Sequence, residues 1–201
     1  MFRTIHDLMS PVLSDRTILK HNRKGQLIET PLKMEQVQPN SIDLTLADGW
    51  KEIDLGNGYV IDPAKPVRYR SGKFQKHFES DKDLPPYHIV EPKKFVLMAS
   101  NEILNIPNGI IAFVQGRSSI ARLAIQTEQA GLIDAGFRGT ITFEVFNQSD
   151  NPVKLYKDMR IAQVYFFKAQ YADRLYGKEH GSKYNGQIDP TESMIYKDYQ
   201  K

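Results

Sequence analysis

The residues best suited to chemistry lie together in one stretch of the sequence, residues 116–147. A turn begins at Gly116 and leads into a short helix, and it carries hydroxyl groups such as that of Ser118. Hydroxyl groups and backbone N–H groups at the start of a helix can bind a phosphate. Asp134 follows on a tight turn bounded by glycines, and Glu144 interrupts an apolar, β-rich run. A phosphate-binding turn with two nearby carboxylates indicates an active site. The pattern does not indicate which role each of the two carboxylates has.

The composition excludes several kinds of catalytic centre. The 201 residues include no cysteine, which excludes disulfides, thiolate catalysis and thiolate-bound zinc. Zinc-dependent nucleobase deaminases use a His/Cys/Cys or Cys₃ centre, so the sequence does not fit that class. No two histidines have the spacing of metal ligands, and we interpret them as surface or structural residues. They are His6, His21, His77, His88 and His180.

The charge and hydropathy patterns predict one cytoplasmic domain over residues 1–201. The net charge is +3, but 27 Lys and Arg are interleaved with 24 Asp and Glu, so a small phosphorylated ligand explains the excess as well as a nucleic acid does. We expect no polymeric nucleic acid as a partner. No apolar run approaches the roughly 20 residues of a membrane-spanning helix, and the N-terminus lacks the apolar core of a signal peptide. We therefore expect no membrane partner.

The secondary-structure signals are mainly those of short strands separated by turns, which predict an all-β sandwich or a jelly-roll-like barrel. One short helix is predicted over 13–21, and the polar residues 71–86 are predicted to form an exposed excursion. Within the alternating strand 42–46, Asp43 is either a solvent-side residue or a polar group aimed at a neighbouring loop, and the spacing favours the first. Residues 168–201 are either disordered or folded over another part of the protein. The predicted strands cover 26–32, 42–46, 87–90, 95–100, 110–115, 140–147, 153–156 and 160–167, with hairpins over 50–69.

Five segments of the sequence, in this order and spacing, resemble the dCTP deaminases of the trimeric dUTPase superfamily: QPNSIDLTL, GRSSIARLAI, AGLIDAGFRGTITFEVFN, KDMRIAQVYFF and KYNGQ. The resemblance covers roughly residues 13–198. It implies a mainly β fold, a distorted jelly-roll or β-barrel of the dUTPase-like type with a few short helices, and a homotrimer with active sites between subunits. It also implies hydrolytic deamination of dCTP at C4 without zinc. Residues 1–12 would be an N-terminal extension, and residues 168–201 would close over the active site.

The resemblance also implies roles for individual residues. Asp134 takes the position that hydrogen-bonds the deoxyribose 3′-hydroxyl, and Phe137 takes the aromatic position that leaves no room for a 2′-hydroxyl. Glu144 takes the position of the general base and acid. The phosphate-binding and catalytic turn comprises Arg117, Ser118, Ser119, Ile120, Ala121 and Arg122. The residues that meet the cytosine ring are Thr142, Phe143 and Glu144, and those that close over the triphosphate are Tyr176, Lys183 and Gln187.

The chemistry of deamination fits a single carboxylate at Glu144. Attack at C4 needs a nucleophilic water, a proton delivered to N3 and another delivered to the leaving ammonia, and one carboxylate can carry all of them if it titrates near the working pH. Partial burial beside apolar neighbours on its strand would move it in that direction. Arg122 and the Ser118 hydroxyl would hold the carboxylate and the water, and the Ala130 carbonyl would orient the water.

The dipeptide Ala130-Gly131 bears on whether the enzyme carries out one reaction or two. Family members that release only dUTP resemble Ala-His at this point, whereas bifunctional members and dUTPases resemble Ala-Gly. A glycine gives the backbone room to admit a second water near the α-phosphate, which Asp134 would activate, with Mg²⁺ bound through the substrate phosphates. We favour the bifunctional interpretation, in which dCTP and then dUTP are consumed and dUMP and pyrophosphate are produced. A deaminase that releases dUTP, a dUTPase alone and a catalytically silent nucleotide sensor are the alternatives, and dTTP is a candidate regulator.

The sequence departs from the family pattern at three positions where glycine is usual. They are occupied by Ala47, Ala124 and Ala162. Each alanine adds one methyl group at a packed turn or strand, so we expect backbone adjustment there rather than lost activity.

Overall fold

The computed structural model describes residues 10–56, 58–76, 84–127, 131–177 and 181–200, and its dominant element is one curled sheet. The strands are β1 Leu27–Ile28, β2 Ile42–Ile53, β3 Tyr69–Gly72, β4 Tyr87–Val90, β5 Phe95–Asn105, β6 Ile110–Gly116, β7 Ile125–Gln126, β8 Leu132–Ile133, β9 Arg138–Asn147, β10 Val153–Tyr156 and β11 Arg160–Lys168. The helices are α1 Asp15–Asn22 and α2 Ser118–Ala121, with 3₁₀-helices at Met34–Gln36 and Ile195–Tyr199.

The sheet brings sequence-distant strands side by side. Its main path runs β7-β9-β5-β2-β11-β6-β8, with β1 paired to β5 and β3 paired to β2, while β4 and β10 form a separate antiparallel pair. Strand β9 alternates with a period of two over much of its length: Phe143 and Val145 are fully buried, whereas Thr142 and Glu144 are only partly buried. The strand therefore presents Thr142 and Glu144 on the face that points away from the core.

Large aliphatic and aromatic side chains from both ends of the chain form the core beneath the sheet. Ile18 of α1 is fully buried, as are Phe143 of β9 and Phe166 of β11. Burying side chains of this size contributes about 1.5–3 kcal/mol each to the transfer free energy of folding. These buried side chains fix β9 and β11 to the core.

The mainly β prediction is confirmed, but several predicted boundaries are wrong. The predicted strand over 42–46 continues to Ile53, because its second half pairs with β3 and β5. The predicted strand over 26–32 is reduced to the two residues of β1. In the predicted excursion over 71–86, Phe74 is buried and Gln75 forms a bridge to Tyr87, so the start of this segment belongs to the fold. Residues 77–83 lie outside the described residues.

The preference for a solvent-side Asp43 is wrong. Its exposed fraction is 0%, although its neighbours along β2 follow an alternating sequence pattern. The reason is tertiary: the first half of β2 is covered on both faces, and Gln36 of the first 3₁₀-helix donates a hydrogen bond from Nε2 to the Asp43 carbonyl over 3.0 Å. The same Gln36 Nε2 donates to Glu102, a second buried carboxylate, over 2.7 Å.

Candidate active site

A cavity of about 440 Å³ lies where strands β6, β8 and β9 meet the C-terminal segment. It collects residues that are far apart in the sequence. Those of the predicted site that line it are Asp134, Phe137, Thr142, Glu144, Tyr176 and Gln187. The two candidate carboxylates therefore face the same space, one from the turn after β8 and the other from β9.

The glycines around Asp134 let the C-terminal segment lie directly against its turn. Gly136 has φ of +95°, and a Cβ atom there would be 2.6 Å from the carbonyl oxygen of Tyr176. Gly139 has φ of +151°, and a Cβ atom there would be 2.8 Å from the carbonyl oxygen of Gln187. Both conformations favour glycine, and neither approach leaves room for a side chain. The turn is therefore built to receive the segment that carries Tyr176 and Gln187.

Hydrogen bonds continue this closure along β9. The backbone N–H of Thr140 donates to the Gln187 carbonyl over 2.9 Å, and Gln187 Nε2 donates to the Thr140 carbonyl over 2.7 Å. Further on, the backbone N–H of Thr191 donates to Thr142 Oγ1 over 3.1 Å. Residues of the segment after Gln187, among them Thr191, therefore form part of the wall of the cavity.

Glu144 has apolar side chains of the neighbouring strand beside it. It is half-buried on β9, with its Cα opposite that of Leu97 on β5, and both Leu97 and Phe95 line the cavity beside it. A carboxyl group among such neighbours loses part of its hydration, which suits a group that must take up and release protons.

Two tyrosines keep their hydroxyl protons in this cavity. Burial is the main cause that raises the pKa of Tyr176 above its ordinary value, and the charge of Asp134 adds to it, while a hydrogen bond from the Tyr184 backbone lowers it. Burial likewise raises the pKa of Tyr69. The Tyr176 ring lies 5.9 Å from that of Phe137, which is only 6% exposed. These phenols are neutral hydrogen-bonding groups across the physiological pH range.

The predicted phosphate-binding turn is not part of this cavity within one chain. Among the described residues that line the cavity, none belongs to Arg117–Arg122. Ile120 anchors the turn in the core, and the Arg117 backbone N–H donates to the Ile161 carbonyl over 3.1 Å. The side chains of the turn that are exposed are Ser118, Ser119, Ala121 and Arg122. The predicted site is therefore divided into two surfaces of the protomer.

The side chains of two further predicted site residues do not line the cavity, and a third residue is not described by the structure. The Phe143 side chain lies in the core and is 0% exposed, so only the backbone of this residue can approach a base from β9. Lys183 does not line the cavity, and its ammonium group forms an ion pair with Asp198 over 2.5 Å. Ala130 lies outside the described residues.

The sequence analysis missed several residues that line the cavity. Tyr69 comes from β3, and Tyr184 from the C-terminal segment. Thr191, Glu192 and Ser193 follow Gln187, and Glu192 forms an ion pair with Lys51 over 2.9 Å. Tyr184 belongs to the segment KYNGQ but was given no role there, whereas Tyr69, Thr191, Glu192 and Ser193 belong to none of the segments that carry the resemblance.

Ala124 occupies one of the three positions where glycine is usual in the family. Its φ is +58°, in the left-handed region that favours glycine. Such a conformation costs an alanine roughly 1–2 kcal/mol. Ala162, by contrast, lies fully buried within β11.

A family model described as dCTP deaminase-like matches residues 12–169. The protein named dCTP deaminase, dUMP-forming, from Sulfurihydrogenibium sp. is 38% identical over 189 residues, which are 93% of this chain and 98% of that protein. The protein named dCTP deaminase from Haloarcula marismortui is 39% identical over 191 residues, which are 93% of this chain and 96% of that protein.

The fold also matches a solved structure. The crystal structure of 2′-deoxycytidine 5′-triphosphate deaminase from Agrobacterium tumefaciens has a TM-score of 0.61 at 20% identity, and the match covers 79% of this chain and 48% of that chain. The predicted fold type is therefore confirmed. Within the described ranges, no helix has both the length and the apolar character needed to span a membrane.

Proposed function

Because the chain belongs to the dCTP deaminase-like family, we propose that it converts dCTP to dUMP by deaminating cytosine and hydrolysing the triphosphate. The observation that carries this proposal is the cavity in which Glu144 and Asp134 face the same space. Because the two carboxylates lie on different elements, one could contact the base of a nucleotide and the other its sugar and phosphates.

Glu144 is the proposed general base and acid of the deamination. It would take a proton from water as the water attacks C4, deliver a proton to N3, and then protonate the leaving ammonia. The apolar wall formed by Leu97 and Phe95 supports this role, since it limits hydration of the carboxyl group. The backbone of β9 beside Thr142 would hold the edge of the base.

Asp134 and Phe137 are proposed to select a deoxyribonucleotide. Phe137 is buried and in ring contact with Tyr176, so it is held in place and cannot move aside for a 2′-hydroxyl. The Asp134 carboxylate would accept a hydrogen bond from the 3′-hydroxyl. Tyr176 and Gln187, whose backbones lie against Gly136 and Gly139, would close over the triphosphate.

We propose a homotrimer in which the turn Arg117–Arg122 of one subunit completes the cavity of its neighbour. The division of the site supports this arrangement, because Ser118 and Arg122 are exposed and outside the cavity of their own chain. Apolar side chains are also exposed beside both surfaces: Leu132, which lines the cavity, is 54% exposed, and Leu123, which follows Arg122, is 51% exposed. Exposed apolar groups near a divided site are typical of an interface between subunits.

Gly131 supports the second reaction, the hydrolysis of dUTP to dUMP and pyrophosphate. A Cβ atom at Gly131 would lie 2.2 Å from the Val114 carbonyl oxygen, so this part of the chain can approach β6 only without a side chain. A histidine could not take this place without displacing the segment. We propose that the backbone at this glycine, free of a side chain, leaves space near Asp134 for a water that attacks the α-phosphorus.

Mg²⁺ is proposed to arrive with the nucleotide. The phosphate oxygens would supply most of its ligands, since Mg²⁺ is commonly held by substrate phosphates with one or two carboxylates. Within the described ranges, no group of three His, Asp or Glu side chains could hold a metal ion. When bound, Mg²⁺ would neutralise charge on the phosphates.

The experiment that tests the proposed deamination compares Glu144→Gln with the wild-type chain and with Glu35→Gln, a glutamate on the exposed side of the first 3₁₀-helix. Ammonia release from dCTP is expected to fall at least about 100-fold in Glu144→Gln and to stay unchanged in Glu35→Gln. Full ammonia release by Glu144→Gln would contradict the assignment. Tight dCTP binding by the wild-type chain without any product would indicate a nucleotide sensor instead.

The trimer is tested by mixing subunits that carry Arg122→Gln with subunits that carry Glu144→Gln. If each site takes Arg122 from one subunit and Glu144 from its neighbour, random trimers from equal amounts should recover about a quarter of the wild-type activity. The two separate homotrimers serve as inactive controls. Mixed trimers that recover no activity would contradict a shared site.

A further inference from the structure

Asp43 is a fully buried carboxylate that joins the start of β2 to the predicted phosphate-binding turn. Its exposed fraction is 0%, and charged or polar side chains reach it on both oxygens. Oδ2 accepts hydrogen bonds from Arg160 Nη1 over 3.1 Å and from Gln38 Nε2 over 3.4 Å. Oδ1 accepts one from Gln163 Nε2 over 3.0 Å and lies 3.5 Å from Nε of Arg117. A buried carboxylate needs such partners, because it would otherwise be strongly destabilising.

Arg117 is held by two of its guanidinium nitrogens. Nε faces Asp43, and Nη1 donates a hydrogen bond to the Arg160 carbonyl over 3.2 Å. The side chain is 26% exposed, so the guanidinium group is partly accessible to solvent. The two contacts restrain the direction of the planar guanidinium.

The charges of this cluster leave an excess for an anion. One carboxylate is shared by two guanidinium groups, and the closer of the two, at 3.1 Å, belongs to Arg160 rather than Arg117. One negative and two positive charges leave a net charge of +1. Asp43 can thus orient Arg117 without cancelling its attraction for a phosphate.

We propose that Asp43 is a positioning residue for Arg117, which it holds in the direction that binds the triphosphate of the nucleotide. The proposal deepens the proposed function, since it assumes that the turn after Gly116 binds phosphate. Asp43 itself touches no substrate and acts only through the guanidinium group. Because a phosphate-binding group acts on the ground state and the transition state alike, its loss should raise KM more than it lowers kcat.

Asp43→Asn separates positioning from simple electrostatics. The substitution keeps the shape of the side chain but raises the charge of the cluster from +1 to about +2. Electrostatic attraction alone would then lower KM for dCTP. Loss of orientation is expected to raise KM about tenfold with kcat within about twofold of the wild type. A lowered or unchanged KM would overturn the proposal.

Glu102→Gln is the matched control. Glu102 is also a buried carboxylate, 3% exposed, but it is held by Gln36 and Thr45 and does not contact Arg117. Both variants should lose stability, whereas only Asp43→Asn should raise KM. Equal changes of KM in the two variants would mean that Asp43 has a merely structural role.

A double-mutant cycle tests whether Asp43 acts through Arg117. In the Arg117→Gln background, Asp43→Asn is expected to have no further effect on KM, and a full tenfold effect there would overturn the proposal. If Asp43→Asn does not fold, Gln163→Leu removes one anchor of the carboxylate without changing any charge. It should raise KM in the same direction by about threefold, and an unchanged KM would count against the proposal. The wild-type chain is assayed with dCTP before the variants. If it yields no product, the proposed function fails, and this outcome is distinct from a failure of the role proposed for Asp43.

Discussion

Replacing Gly139 by alanine should loosen the closure of the C-terminal segment over the cavity. A Cβ atom at this position would lie 2.8 Å from the Gln187 carbonyl oxygen, whereas ordinary van der Waals contact begins near 3.4 Å, so the two backbones must separate by about 0.6 Å. The hydrogen bonds that join Thr140 to Gln187, at 2.9 and 2.7 Å, would lengthen or break. Two such hydrogen bonds contribute together about 1–3 kcal/mol.

This free energy sets the expected size of the effect. If the closed segment carries Gln187 and Tyr176 to the triphosphate, a loss of about 1–3 kcal/mol raises KM for dCTP by a factor between about 5 and about 150. Steady-state kinetics of ammonia release measures it. Gly25→Ala is the control, because Gly25 also has a left-handed φ, +69°, but no atom within 4 Å of an added Cβ. A KM for Gly139→Ala equal to that of Gly25→Ala would refute the reasoning.

Three further predictions follow from single contacts. Ala124→Gly relieves the strain of a left-handed alanine, and the free energy of unfolding should rise by about 0.5–1 kcal/mol in denaturant titrations; a lower value would contradict the strain. Burial lowers the pKa of His88 below its ordinary value, although Glu52 opposes the shift, so the unfolded chain binds the proton more readily and stability falls as the pH drops below about 6.5. His88→Leu should flatten this slope between about pH 7.5 and 5.5, a range that brackets the ordinary titration of histidine, and an unchanged slope would contradict it. Asp198→Asn frees Lys183 from its ion pair and should lower KM for dCTP about two- to threefold at low salt but not at high salt, whereas no change at either salt would argue against Lys183 as a phosphate ligand.

The sequence was most informative where a local pattern determines the structure. The β-rich run over 140–147 predicts the strand that carries Glu144, and the glycines around Asp134 predict a tight turn, because both depend on residues adjacent in the chain. The motifs that resemble the dCTP deaminase family then indicated that these residues belong to one site, which their spacing alone did not indicate.

Tertiary contacts account for the features that could not be predicted from the sequence. Asp43 has the spacing of a solvent-side residue, but Gln36 and the sheet cover it from both faces. The pairing of Lys183 with Asp198 and the placement of Thr191 against Thr142 depend on how the C-terminal segment folds back. No periodicity or motif encodes such contacts between distant segments.

The central claim is tested most directly by separating the nucleotide products formed from dCTP and Mg²⁺ by ion-exchange chromatography, with ammonia and pyrophosphate measured in the same samples. We expect dUMP, ammonia and pyrophosphate in equal amounts, with little free dUTP. Accumulation of dUTP without pyrophosphate would contradict the second reaction, the hydrolysis of dUTP, that is proposed from Gly131. Formation of dCMP, or recovery of unchanged dCTP, would contradict the deamination assigned to Glu144.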